Sequence, residues 1–137
     1  MLSQGRRSRL HRAVGARLLR GFADCEQEVA PELAMHFETG LELASAARFY
    51  ALAGEASAHR LSNFEAVGHF RKSLELIDRV EFEGRMLLEI GTRLALCAPL
   101  ASVSGYAADE LEGNLKRLEL LTAEIEDSAE MYPALLG

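Results

Sequence analysis

Seven alanines (Ala44, Ala46, Ala47, Ala51, Ala53, Ala56 and Ala58) fall in the fifteen residues from Ala44 to Ala58. At 3.6 residues per turn they spread small side chains over several sides of a helix, so neighbouring helices can approach it closely on more than one face. The rest of the chain agrees with that helix-packed reading. Its apolar residues are mostly Leu and Ala rather than Val and Ile, it has only three prolines, and no strand signal competes. Each of these favours helix. A chain of 137 residues, 49% hydrophobic and 26% charged, suits one globular domain with a real core.

Helix punctuation divides the chain into segments. The spacing of Leu10, Val14 and Leu18 predicts a first helix over Ser8 to about Phe22. "ADCEQEVAPE" breaks it, and Pro31 sits where a second helix can start, with Leu33 and Phe37 inward and Gly40 closing it. The alanine-rich third helix runs from Leu43 to His59. A fourth opens at "SNFE", where Ser62 and Glu65 have capping-box spacing, and continues to about Asp78 through Ala66, Phe70, Ser73, Leu74 and Ile77. The fifth covers about Gly84 to Ala98, with Met86, Ile90, Leu94 and Cys97 as its inward stripe and Pro99 as its stop. "PLASVSGY" reads as a loop. Asp109 and Glu110 open a sixth helix reaching about Ile125, and "DSAEMYPALLG" starts a seventh that is cut short, which suggests a piece of a longer protein.

The stretch "RFYALAGEASAHRLSNFEAVGHFRKSLELID" resembles a tetratricopeptide repeat. Tyr50, then Gly54 four residues on, then Ala66, Phe70 and Ser73 follow the family pattern, with Ser73 in place of the usual alanine. Gly54 and Ala66 would let two helices touch while Phe70 plugs the gap between them. The closing proline is absent, and Asp78 stands there instead. Gly15 with Leu33 and Phe37, and Gly91 with Leu111 and Leu115, match more weakly. The resemblance implies an all-α fold of antiparallel helix pairs, about 8–39, 43–78 and 84–125, stacked as a right-handed superhelix of six or seven helices in a single domain over residues 1–137. An ordinary helical bundle is the alternative.

A resemblance covering nearly the whole chain rests on "RLHRAVGARL", "PELAMHFETG", the repeat above, "GYAADEL" and "MYPALLG". These are similar to a helical-repeat region that follows the ATPase module of large bacterial signalling proteins, including class III adenylate or guanylate cyclases and ATPase-linked transcriptional regulators. It implies a non-catalytic, cytoplasmic, protein-contacting segment without a cofactor, whose partners are proteins, peptides or adjacent domains of the same chain. Exposed ends of the stack could also pair two copies. In tetratricopeptide stacks the first helix of each pair lines a concave groove. Carried over position by position, that face includes Arg48, Ala51, Glu55, Ala58 and His59, with Arg85, Leu88 and Thr92 from the next pair. A solvated surface is the alternative for each of them.

Charge and motif content narrow the alternatives. Residues 1–20 hold Arg6, Arg7, Arg9, Arg12, Arg17 and Arg20 and no acid, so they contribute +6 and the remaining residues carry −12, for a net −6. The basic stretch is open to four readings: a nucleic-acid arm, a transit peptide, a joint to a preceding domain, or a solvated helix face. An acidic remainder repels phosphate, which counts against nucleic acid. No phosphate-binding glycine loop, H-E-x-x-H or G-x-S-x-G occurs. None of His11, His36, His59 and His69 has Glu three residues before it, so the Glu-x-x-His pattern of di-iron bundles is missing. Glu32 with His36 and Glu65 with His69 read as surface pairs one turn apart. Cys25 and Cys97 read as buried thiols in a reducing compartment, and no apolar run is long enough to span a membrane.

Overall fold

A computed structural model of the chain describes Ser8, His11, Arg12 and residues 26–103 and 107–131. The described residues are all-helical: α1 (Glu26–Thr39), α2 (Leu43–His59), α3 (Asn63–Arg79), α4 (Arg85–Ser102) and α5 (Ala107–Met131). Ser8, His11 and Arg12 are also helical, and the remainder of the first predicted helix lies outside the described residues, as do Cys25 and residues 104–106. Each helix packs on the next in sequence, and α2 also reaches past α3 to touch α4.

Two apolar clusters hold this arrangement. Leu33 and Phe37 of α1 meet Ala46 and Ala47 of α2 and Leu76 and Ile77 of α3. Ala66, Val67 and Phe70 of α3 meet Leu96 and Leu100 of α4. Leu74 packs against both clusters and joins them. The closest approach is between α2 and α3. The Phe70 ring lies so near Gly54 that a Cβ at position 54 would sit 2.5 Å from a ring carbon. Phe70 is completely buried, as is Ser73 one turn on, whose hydroxyl donates to the Ala47 carbonyl at 2.7 Å. Ser73 thus adds a cross-helix hydrogen bond that alanine could not make.

The α1–α2 and α2–α3 connections are the same turn used twice. Leu41 N–H donates to the Glu38 carbonyl and Glu42 N–H to Phe37, while Leu61 N–H donates to Ala58 and Ser62 N–H to Ser57. That is the Schellman pattern, and its left-handed residue is leucine in both copies, with φ of 63° at Leu41 and 61° at Leu61. Gly40, expected as the left-handed closing residue, is needed for a different reason. A Cβ there would meet the Arg12 backbone nitrogen at 2.9 Å and the Ser8 carbonyl at 3.0 Å. Arg12 also donates through Nε and Nη2 to the Gly40 carbonyl at 3.1 and 2.8 Å and pairs with Glu42.

The turn also explains why the capping box expected at Ser62 and Glu65 does not form. Ser62 makes no side-chain cap bond, and its backbone N–H, which a Glu at the third helical position would cap, is already donated to Ser57. Glu65 faces Arg60 instead, at 4.0 Å.

Three further boundaries differ from expectation. α1 begins five residues before Pro31, which therefore lies inside the helix. Pro99 lies inside α4, buried, and the helix continues to Ser102 with the Val103 N–H bonded to the Pro99 carbonyl. α5 runs unbroken from Ala107 to Met131, so "DSAEM" prolongs it rather than opening a seventh helix from about 128. The expected inward stripe of α4 is also rotated. Glu89, Thr92, Leu96, Pro99 and Leu100 are buried, whereas Met86 and Leu94 are exposed.

Two outcomes test these contacts by urea denaturation. Phe70→Ala loses roughly 3–5 kcal/mol. Gly54→Ala loses roughly 1–3 kcal/mol in the wild-type background but gains up to about 1 kcal/mol, from helix propensity, once Phe70 is alanine. Equal effects of Gly54→Ala in both backgrounds would mean the ring does not rest on position 54. Separately, Leu61→Gly raises stability by about 1 kcal/mol, because the side chain is 81% exposed and its backbone is left-handed. A loss there would show that Leu61 makes a stabilising contact.

Candidate functional site

Where α2 reaches α4, the two helices leave an open cavity of about 310 Å³, lined by Glu55, Ala58, His59, Phe70 and Ala95. Its position follows from the core. Phe70 must lie inward to cover Gly54, so it closes the bottom. Ala58 and Ala95 are too small to fill the space above it. Glu55 and His59, one turn apart on α2, are both exposed, and neither bonds to another described side chain. Three of the eight predicted groove residues (Glu55, Ala58 and His59) therefore meet at one cavity.

The other five lie elsewhere. Ala51 is buried, with 6% exposure, and Thr92 is buried with no hydrogen-bond partner for its hydroxyl among the described residues. Leu88 packs against the α1–α2–α3 cluster. Arg48 places its guanidinium 5.1 Å from the Phe82 ring centroid and donates to the Glu83 carbonyl. Arg85 donates to the Ile77 carbonyl at 2.8 Å, completing the C-terminal end of α3, and pairs with Glu81 and Asp78. Asp78, which stands where the repeat pattern has proline, thus takes part in the handover from α3 to α4. The repeat-packing set has a second focus at Tyr50. Its hydroxyl donates to Glu38 at 2.6 Å, and Lys72 pairs with the same carboxylate. Burial and the Glu38 carboxylate hold the Tyr50 phenol well above its ordinary value, so it stays a donor.

Sequence reasoning missed a buried polar network between α4 and α5. Glu89, 2% exposed, accepts from Arg93 Nε at 2.8 Å and from Arg117 Nε at 3.2 Å on one carboxylate oxygen. Arg93 also donates to Asn114, whose amide donates back to the Arg93 carbonyl and to Cys97 Sγ. Burial alone would raise the Glu89 carboxyl, but the two guanidiniums outweigh it and hold the group below its ordinary value. In the first turn of α5, Arg71 Nε donates to Glu110 at 2.7 Å, keeping that carboxyl low despite some burial. These groups bond to one another and so tie α5 to α3 and α4. The one signal available beforehand was the i,i+4 spacing of Glu89 and Arg93.

The histidine pairs also resolve differently. His36 meets His11, Nδ1 to Nδ1 at 3.0 Å, so one ring donates and the other accepts, and Glu32 is not its partner. His69 stacks on Tyr50, and burial lowers its proton affinity despite the nearby Glu65 charge. Among the described residues no group of three or more His, Cys, Asp or Glu is placed to hold a metal ion, and no helix is long and apolar enough to cross a membrane. Of the six N-terminal arginines, Arg12 alone is described, and its guanidinium is engaged by Gly40 and Glu42. Comparison with known proteins finds no matching family model, curated protein or solved structure.

The Glu89 network has a pH signature. Because its folded carboxyl is held low, its stabilisation is complete above the unfolded value of about 4.5 and is lost as pH falls through the folded value. Glu89→Gln leaves two guanidiniums without their shared anion and costs roughly 3 kcal/mol at neutral pH. In urea titrations the gap between wild type and Glu89→Gln closes progressively as the pH is lowered below about 4.5. A gap independent of pH would mean that packing, not charge, sets the cost.

Proposed function

We propose that this chain is a non-catalytic protein-interaction module that binds a peptide or helix of a partner in the groove between α2 and α4. The observation that carries the reading is the open cavity with an apolar floor and two uncommitted polar side chains at its edge, Glu55 and His59. Such a site offers burial for an anchoring side chain and polar groups to orient it. Three features favour the tetratricopeptide-like stack as its frame: the contact of α2 with α4 across α3, the turn repeated between successive helices, and the Phe70–Gly54 contact. In that frame α2 and α4 are first helices of consecutive pairs. The wider reading, a regulatory segment of a bacterial signalling protein with a cyclase or ATPase-linked output, rests on the sequence resemblance. Groove occupancy would act there by shifting the balance between two states of the attached domains.

Selection of a random displayed peptide library on the folded chain, followed by NMR mapping, tests the groove. Selected peptides shift the amide resonances of Glu55, Ala58, His59 and Ala95, and their affinity is less salt-sensitive than nucleic-acid binding would be. Replacing Glu55 and His59 together weakens binding and leaves the melting temperature nearly unchanged, since neither side chain bonds to another described side chain. Shifts confined to other faces would overturn the groove. Binding of DNA or RNA that falls steeply with salt would point instead to the arginine-rich N-terminal stretch.

A further inference from the structure

The chemistry of the α2–α4 cavity goes further than a generic groove, and resting on that groove reading, we infer that its occupant is a peptide bearing a large apolar side chain beside a cationic one. The volume, about 310 Å³, is at the lower end of ligand sites, which run from about 300 to 1,000 Å³. That suits one Leu, Met or Phe side chain rather than a whole cofactor. Phe70, Ala58 and Ala95 make the cavity's apolar lining and Glu55 and His59 its exposed polar edge, with no buried polar residue among them to orient a polar ligand. An apolar anchor is what such walls reward, through the water it releases.

Charge selects the neighbour of that anchor. Glu55 lines the cavity, is exposed, and makes no ion pair with any described residue. By contrast Glu38, Glu65, Glu89 and Glu110 each have a cation: Lys72, Arg60, Arg93 with Arg117, and Arg71. The chain as a whole carries −6, which also favours a cation over an acidic peptide or a nucleic acid. Space for the incoming backbone is present on the α4 side. Gly91 and Ala98 are exposed and share a face with Ala95, and no described residue lies within 4 Å of where a Cβ on Gly91 would be. An Arg or Lys next to the anchor reaches Glu55 while its own stem covers apolar wall.

The probe is a positional-scanning library of short capped peptides. One position is fixed as Leu, Met or Phe, and each flanking position is varied in turn through Arg, Ala and Glu, with binding read by fluorescence anisotropy. On the wild-type chain, Arg outbinds Glu by roughly tenfold at one flanking position. Glu55→Lys, a change at an exposed site, reverses that preference. Ala95→Phe fills the socket and abolishes binding of every member, with unchanged circular dichroism. Members that bind without preferring Arg over Glu, or whose preference survives Glu55→Lys, overturn this inference and leave the groove intact. Failure of every member to bind the folded wild-type chain overturns the groove reading itself.

Discussion

The contact on which the rest of the fold depends is the Phe70 ring lying against Gly54. Only a residue without a side chain allows α3 to bring an aromatic ring so close to the α2 backbone. That approach sets the separation of the two helices, which in turn brings Ser73 within 2.7 Å of the Ala47 carbonyl. It also decides where space is left over. With Phe70 committed to Gly54, the volume above it between Ala58 and Ala95 has no side chain to fill it, and the candidate site is that remainder.

The two sides of α3 are built by different means. Toward α1 and α2 the packing is tight and apolar, and the connections are three residues long with the same turn. Toward α4 the connection is longer and opens into α4 at Gly84, with its own left-handed backbone (φ 84°) and Arg85 completing the end of α3. Arg48 over Phe82 fastens this connection back onto α2. A side chain that the repeat pattern places in a binding groove is therefore spent on holding a loop, which narrows the site to the C-terminal half of α2.

The existence of α1 to α5 was legible in the sequence, and the bounds of α2 and α3 were readable to within a residue, even though the turns between them place leucine rather than glycine in the left-handed position and form no capping box. The face of α4 was not legible. Met86, Ile90 and Leu94 form the better apolar stripe, yet Glu89 and Thr92 are the residues turned inward. A buried carboxylate is tolerable only with cations beside it, and one of its two partners, Arg117, comes from a helix 28 residues away in sequence. Local patterns carry no trace of such a partner. Pro31 and Pro99 misled for a related reason: a proline costs a helix one hydrogen bond, and tertiary packing around the helix can outweigh that loss. Of the candidate site, Glu55, Ala58 and His59 were readable from the repeat pattern, while Ala95 was not, since its role depends on how far α4 leans toward α2.

The Glu89 network also bears on how the molecule comes apart. Among the described residues of α5, Leu118 and Leu121 are the buried apolar ones and Leu111 packs partly buried against the α3–α4 cluster; guanidinium, carboxylate and amide groups, all of which water can solvate, add to the hold on α4. A helix attached in this way can detach while exposing little oil to solvent, unlike α3, whose departure would uncover Phe70, Leu76 and Ile77 together. From α1 to α3 the described chain is thus held mainly by apolar burial, whereas α5 depends more on polar groups that water can also satisfy.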